Sequence, residues 1–257
     1  MRNQRQTQFE TVATLRQALR HIFGDRRWPI KVIIGGALST TILGMPFSQG
    51  FLIESMDNSR RGFPTPLPPW AEWSTKYVLG VLGFVIDFIY FIAPILFAGV
   101  LLFCVATFEL LTASGATIIT LVPPIAGLIV ILVSFSFSFS PVAKLILTED
   151  GDLEKALSGK PIRHALSRPA RGIYARARLA TLPGYLPALA AALLFWEVIS
   201  TSSSLGLAAL AFWLLNSTLL FAHLIVVQIY TVAAGVVRRV EFEARLAERE
   251  QVSRGGH

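Results

Sequence analysis

Basic and apolar residues separate into long alternating blocks along the chain. The 23 Lys and Arg residues fall into four groups, and the three tracts between these groups contain neither residue. The basic groups lie at 1–31, 60–76, 144–178 and 238–254. A transmembrane helix needs about 20 consecutive, mainly apolar residues. The tracts between the basic groups therefore predict helices that lie in a membrane.

Four full spans are predicted from two of these tracts. Short basic loops stay on the cytoplasmic side of a membrane, so each tract between two basic groups must enter the membrane and return. This argument places both termini and the loop 144–180 in the cytoplasm. The predicted spans are residues 77–106, 116–143, 181–203 and 206–236.

The remaining tract, residues 32–59, is predicted to re-enter the membrane as a hairpin without crossing it. Gly44 and Pro46 divide the tract near its midpoint, and a proline inside a helix removes a hydrogen bond and kinks or ends the helix. Two half-helices joined there would return Arg60 to the cytoplasmic side. The alternative is one proline-kinked span, which would place Arg60 outside.

Interfacial segments are predicted on both sides of this hairpin. Within residues 1–31, Phe9–Phe23 has apolar residues on one helical face and Arg16 and Arg20 on the other, a pattern typical of a helix lying in the membrane surface. A solvated or protein-packed helix is the alternative. Residues 60–76 form a proline-rich segment with two indoles, and indole rings concentrate at membrane–water interfaces. The predicted interfacial anchors are Trp28, Trp70 and Trp73.

The composition supports a single integral membrane domain over residues 1–250. Of the 257 residues, 53% are hydrophobic and 15% are charged, and the mean hydropathy is +0.59, which leaves too little charge for a soluble surface. The predicted fold class is therefore all-α. It is a polytopic membrane helix bundle with four full spans, a re-entrant or broken helical hairpin and interfacial amphipathic helices. Residues 251–257 are predicted to form a disordered tail.

The net charge of +7 bears on the partners of the protein. Basic residues beside a membrane are attracted to anionic lipid by about 1 kcal/mol each, so anionic lipid, and not nucleic acid, is the expected partner of the basic groups. The single cysteine, Cys104, lies in an apolar tract and can supply neither an intramolecular disulfide nor a thiolate metal cluster.

The sequence contains none of the familiar catalytic or phosphate-binding motifs. H-E-x-x-H, paired cysteines, G-x-S-x-G and G-x-x-x-x-G-K-[ST] are all absent from it. Neither a catalytic residue nor a cofactor nor a metal is therefore predicted.

Ionisable side chains inside membrane spans are costly to insert and therefore indicate a possible site. Asp87 follows Tyr77 by ten residues, about 15 Å along a helix. In the last span, Gln228 and His223 bracket this height, whereas Asn216 lies too far outward. The predicted intramembrane polar cluster is therefore Asp87 with His223 or Gln228. Both a structural hydrogen bond and a protonatable site are consistent with it.

Glycine, proline and tryptophan motifs recur between the N-terminal segment and the first predicted full span. They are Trp28-x-x-Lys31, Ile34-Gly35-Gly36, Leu43-Gly44, Gly50-Phe51-Leu52, Arg60-Arg61 and Leu67-Pro68-Pro69-Trp70-Ala71-Glu72-Trp73. In these motifs the chain resembles the uncharacterised prokaryotic membrane proteins grouped as domain of unknown function 4013, which have an L-P-E-W-D-D-W-like segment before a span. Pro69 and Ala71 replace acidic positions of that segment. The resemblance implies a polytopic inner-membrane protein of unknown activity, with no catalytic residues to carry over.

These observations favour a non-enzymatic integral membrane protein of the prokaryotic cytoplasmic membrane. It would act through a membrane-protein partner as a scaffold, accessory subunit or assembly factor. The alternative is a small-solute or ion carrier, which would have to be a homo-oligomer, working as a homodimer, because four spans make a small carrier. A lipid-modifying enzyme is the least supported class, because paired carboxylates or a metal-ligand cluster at the interface are missing.

Overall fold

The computed structural model describes residues 14–112, 139–168 and 170–255, and these form an all-α membrane helix bundle. The helices are α1 (Leu15–Phe23), α2 (Trp28–Ser39), α3 (Met45–Arg60), α4 (Trp73–Thr112), α5 (residues 139–150), α6 (Leu153–Leu157), α7 (Lys160–Leu166), α8 (Ala170–Thr181), α9 (Leu186–Thr201) and α10 (Leu205–Gly255). A 3-10 turn, Leu182–Tyr185, joins α8 to α9. No strand occurs in these residues, which confirms the predicted all-α class.

In the described part of the chain, three helical stretches are long and apolar enough to cross a membrane. They are Trp73–Thr107, Ala170–Thr201 and Leu205–Glu250. These stretches contain the first, third and fourth predicted spans almost completely. The second predicted span, 116–143, lies outside the described residues except for residues 139–143, which are part of α5. The length and composition of the three stretches identify the chain as a membrane protein.

The long C-terminal helix α10 is the centre of the bundle. Helices α1, α2, α3, α8 and α9 all pack against it. The side chains that α10 buries recur on its inward-facing sides, as expected for a helix covered by several neighbours. They include Leu220, Leu224, Ile225, Ile229, Tyr230 and Val237. Its 51 residues extend over about 75 Å, far more than the hydrocarbon core of about 30 Å, and include most of the predicted tail 251–257.

Helix α1 is the described part of the predicted N-terminal amphipathic helix. The Thr14 hydroxyl caps its first turn by accepting a hydrogen bond from the backbone N–H of Gln17, at 3.3 Å. Ala18 and Ile22 are buried against the rest of the bundle. Part of the apolar face of α1 is therefore covered by protein. Phe9 lies outside the described residues.

Residues 32–59 form two helices that pack on each other, α2 and α3, and the break lies at residues 40–44. The turn satisfies much of its own backbone. The N–H groups of Thr40 and Thr41 donate to carbonyls of α2, and the N–H groups of Gly44 and Met45 donate to the carbonyl of Thr41. Such internal pairing is what a turn needs where water is absent.

Helices α3 and α4 cross at glycines. A Cβ at Gly50 would lie 1.8 Å from the carbonyl oxygen of Lys76, and a Cβ at Gly80 would lie 1.7 Å from the carbonyl oxygen of Pro46. Small residues allow membrane helices to approach closely and to gain dispersion contacts. The crossing holds the polar side chains of α3 against those of α4.

Candidate functional site: a charged cavity between the helices

The carboxylate of Asp87 on α4 accepts three side-chain hydrogen bonds. The Gln49 amide on α3 and the Lys144 ammonium on α5 donate to Oδ2, each at 2.7 Å. The Ser140 hydroxyl, also on α5, donates to Oδ1. Both carboxylate oxygens are therefore engaged, and Asp87 links α4 to the two helices beside it.

The secondary structure explains how these groups meet. Ser140 and Lys144 are four residues apart in α5, so they lie on the same face of that helix and reach the same partner. Gln49 lies one residue before Gly50, where α3 and α4 are in close contact. The side-chain positions thus follow from helix periodicity and from one close crossing.

Lys144 and Asp87 form an ion pair that is mostly withdrawn from solvent. Their side chains are 15% and 28% exposed. Each charge compensates the other, and the bonds from Gln49 and Ser140 replace part of the lost hydration of the carboxylate. Removing one partner of a buried pair costs about 3–5 kcal/mol, because the other charge is then left uncompensated. A variant that tests this ion pair should therefore remove both charges together.

The pair lies on the wall of a cavity of about 190 Å³. Polar groups occupy part of the wall, and aliphatic and aromatic side chains occupy the rest. The lining residues are Gln49, Leu52, Ile53, Met56, Phe84, Asp87, Phe91, Ser140, Pro141, Lys144, Tyr185, His223, Val226 and Val227. An apolar cavity with a few convergent polar groups is the usual form of a small-molecule site.

His223 and Tyr185 form a second polar element of the wall. Their rings meet edge to face, with centroids 5.9 Å apart and planes at 87°. Both side chains line the cavity. The structure therefore places two residues of the predicted cluster, Asp87 and His223, around one cavity.

The predicted third member, Gln228, has other partners. Its Oε1 accepts a hydrogen bond from the Ser59 hydroxyl at 2.8 Å, and its Nε2 donates to the Ser55 hydroxyl at 3.5 Å. The predicted contact of Gln228 with Asp87 is therefore not formed. The reason is geometric: five residues of helix turn through about 500°, so Gln228 and His223 point in directions about 140° apart.

Sequence reasoning missed the three donors to Asp87. Lys144 begins a basic group, which predicts a cytoplasmic loop, and Gln49 lies inside the hairpin, whose packing partner the sequence does not give. The spacing of Ser140 and Lys144 was the one available signal, since it places a hydroxyl and an ammonium on the same helical face.

The predicted tryptophan anchors have three different environments. Trp28 packs against Phe221 on α10, with centroids 5.5 Å apart, and is half-buried. Trp70 stacks on Phe51 at 4.6 Å and donates its indole N–H to the carbonyl of Lys31 at 3.0 Å. Trp73 is 45% exposed. Trp28 and Trp70 therefore contribute to protein packing, and Trp73 has the exposure that an interfacial anchor needs.

Two lysines fasten the proline-rich segment to the bundle. The Lys31 ammonium donates to Asp25 at 2.6 Å and to the carbonyl of Leu67 at 2.7 Å. The Lys76 ammonium, on a side chain that is 1% exposed, contacts Glu54 and donates to the carbonyl of Ala71 at 2.8 Å. Both lysines thus bridge a carboxylate and a loop carbonyl.

The environment of Asp25 affects its ionisation. Burial by itself would raise the pKa of Asp25, but the hydrogen bonds from Lys31 and from the backbone N–H of Arg27 outweigh it and hold the pKa below its ordinary value. Asp25 is therefore a carboxylate at neutral pH, and it supports the turn between α1 and α2.

The described residues contain no group of three or more His, Cys, Asp or Glu side chains that could hold a metal ion.

One protein family, described as "Protein of unknown function (DUF4013)", matches residues 33–196. The chain belongs to this family. The DUF4013 region begins in α2 and ends in α9, so it includes Asp87 with its three hydrogen-bond donors, while His223 on α10 lies outside it. The match confirms the resemblance drawn from the glycine, proline and tryptophan motifs. No curated protein and no solved structure matches the chain.

Proposed function

We propose that the protein is a non-enzymatic membrane protein that acts through a protein partner, as a scaffold, accessory subunit or assembly factor. The observation that supports this proposal is the C-terminal end of α10. Between Val237, which is fully buried, and Gly255, the helix extends for about 27 Å. The side chains of residues 242–250 are all exposed.

This end of α10 carries an apolar pair among its charges. Phe242 is 62% exposed and Leu246 is 43% exposed, and their spacing of four residues places them on one face. A helix with such a pair can lay its apolar face into a groove of another protein. The pair is too small, and its surroundings are too charged, for insertion into lipid. We therefore assign this face to a partner.

Affinity purification in mild detergent tests the proposal. The wild-type protein should retain a stoichiometric partner, and the Phe242→Gln/Leu246→Gln double variant should lose it. Glu248→Gln is the matched control, because position 248 projects from the opposite side of the helix. A wild-type protein that purifies alone, or equal retention by the double variant and the control, would contradict the proposal.

The cavity favours a carrier as the second candidate function. An intramembrane Asp–Lys pair beside a broken helical hairpin is an arrangement that transporters use, and the small bundle would have to work as a homodimer. The Asp87→Asn/Lys144→Met variant removes both charges together and avoids an uncompensated ion. A carrier should lose solute flux in reconstituted vesicles while this variant still purifies as a folded protein. Unchanged flux, or no flux by the wild type, would reject the carrier.

For the location we propose the prokaryotic cytoplasmic membrane, with both termini cytoplasmic and residues 32–59 re-entrant. The tip of the hairpin supports this topology: Ile42 is 85% exposed and Leu43 is 76% exposed, which suits hydrocarbon better than water. Helix α2 has 12 residues and is about 18 Å long, too short to cross the core. The exposed Arg163, Arg171 and Arg176 would then contact anionic headgroups.

Labelling of intact cells tests this topology. Single cysteines at Thr65 and Ser202, in a protein whose Cys104 is replaced by serine, are treated with an impermeant maleimide. Ser202→Cys should react and Thr65→Cys should not. Reaction at position 65 would show that residues 32–59 cross the membrane.

A further inference from the structure

We propose that the cavity beside Asp87 is a binding site for a small uncharged molecule that carries a hydroxyl group. This inference does not depend on the partner proposed for α10, and it holds whether or not the protein moves the molecule across the membrane. It follows from the volume of the cavity, from its charge balance and from its unused hydrogen-bonding groups.

The volume limits the size of the ligand. The cavity of about 190 Å³ has room for several water molecules or for a small solute. Leu52, Ile53 and Met56 on one side and Val226 and Val227 on the other supply apolar wall. The site therefore suits a ligand with a short carbon skeleton.

The charge balance excludes ions. Among the described residues that line the cavity, Asp87 and Lys144 are the two of fixed charge, and they compensate each other in an ion pair of 2.7 Å. Both oxygens of Asp87 already accept hydrogen bonds, so the carboxylate has little capacity left for a cationic ligand. A ligand with a net charge would have to leave water without a counter-charge, which is strongly unfavourable in a low-dielectric site.

The remaining hydrogen-bonding groups match a hydroxyl. An ammonium has three N–H donors, and one donor of Lys144 bonds to Asp87. An imidazole has two nitrogens, and in its neutral form one donates and the other accepts. The His223 ring lies on the cavity wall and can therefore offer a ring nitrogen to a ligand. A hydroxyl can accept from Lys144 and donate to His223.

Cysteine protection tests the site in the full chain. In a Cys104→Ser protein, Val227→Cys places a thiol on the cavity wall, and Leu224→Cys places one in the packed core of the same helix. A small water-soluble methanethiosulfonate reagent reacts with the thiolate. Position 227 should therefore react, and position 224 should not. If neither position reacts, the cavity is closed to solutes and the proposal is overturned.

The ligand class is tested with 1,2-propanediol, and acetate and ethylammonium serve as charged molecules of similar size. Since a ligand of so few atoms binds weakly, propanediol at a concentration on the order of 100 mM should slow the labelling of position 227 about fivefold. His223→Phe should abolish this protection and leave the labelling of position 227 intact. No protection by propanediol, protection as strong by acetate or ethylammonium, or protection that survives His223→Phe would each overturn the proposal.

Discussion

Replacement of Gly80 by alanine would show whether α3 and α4 cross as closely as described. The new Cβ would lie 1.7 Å from the carbonyl oxygen of Pro46, whereas an ordinary contact is about 3.5 Å. The helices would have to separate by nearly 2 Å on this basis, and no side-chain rotation relieves a contact with backbone. Overpacking of this kind lowers the free energy of unfolding by about 1–3 kcal/mol. Because the backbone has to move, we expect the loss for Gly80→Ala to lie at the upper end of this range.

A loss of about 3 kcal/mol corresponds to a fall in Tm of roughly 6–12 °C for a chain of this size. The assay is the thermal loss of the monodisperse gel-filtration peak in detergent. Gly99 in the same helix is the matched control, because nothing lies within 4 Å of a Cβ built there. Gly99→Ala should be neutral or stabilising by up to about 1 kcal/mol, since alanine is the better helix former. Equal Tm values for the two variants would refute the close crossing.

Three further predictions concern the segments around the hairpin. Lys76→Met should lower the free energy of unfolding by about 3 kcal/mol, because Glu54 loses its counter-charge. When Glu54→Gln is added, the total loss should be smaller than the sum of the losses of the two single variants. Additive losses of Tm would contradict the pairing. Trp70→Phe should lower the free energy of unfolding by about 1 kcal/mol, because the indole hydrogen bond is lost. Since Trp73 is exposed, Trp73→Phe should change it by no more than about 0.5 kcal/mol. The same Tm for both variants would argue against the packing of the proline-rich segment on the bundle. Because the folded-state pKa of Asp25 lies below its ordinary value of 3.8, its stabilisation is complete above that value and is lost as the pH falls through the folded-state pKa. The Tm difference between wild type and Asp25→Asn should therefore stay constant from about pH 6 to about pH 4 and shrink below that. A difference that stays constant down to about pH 3 would show that the shift is absent.

The sequence predicts how deep the polar groups lie in the bundle, but not the direction in which their side chains point. Counting residues along the helices predicts similar depths for Asp87 and His223, and both lie on the cavity wall. The same count predicts this depth for Gln228, yet it faces Ser55 and Ser59. Depth follows from the rise per residue, whereas direction depends on how each helix is rotated in the bundle, which a single sequence does not encode locally.

The tryptophans illustrate the same limit. An indole beside an apolar tract has the same sequence context whether it meets lipid headgroups or another ring. Trp70 stacks on Phe51 because α3 and the proline-rich segment come together, and that contact joins residues far apart in the chain.

By itself, the sequence determined that this is an all-α membrane protein, approximately where three of its spanning helices lie, that residues 32–59 are broken near Gly44, and that the chain is a member of the DUF4013 family. Each of these properties depends on local hydropathy, on proline and glycine, or on short motifs. Only the tertiary structure decided that Lys144 neutralises Asp87, that Gln49 and Ser140 complete the network, and that Lys76 is buried beside Glu54. Those pairs arise from the rotation and close approach of whole helices, and their energies depend on the burial that this packing creates.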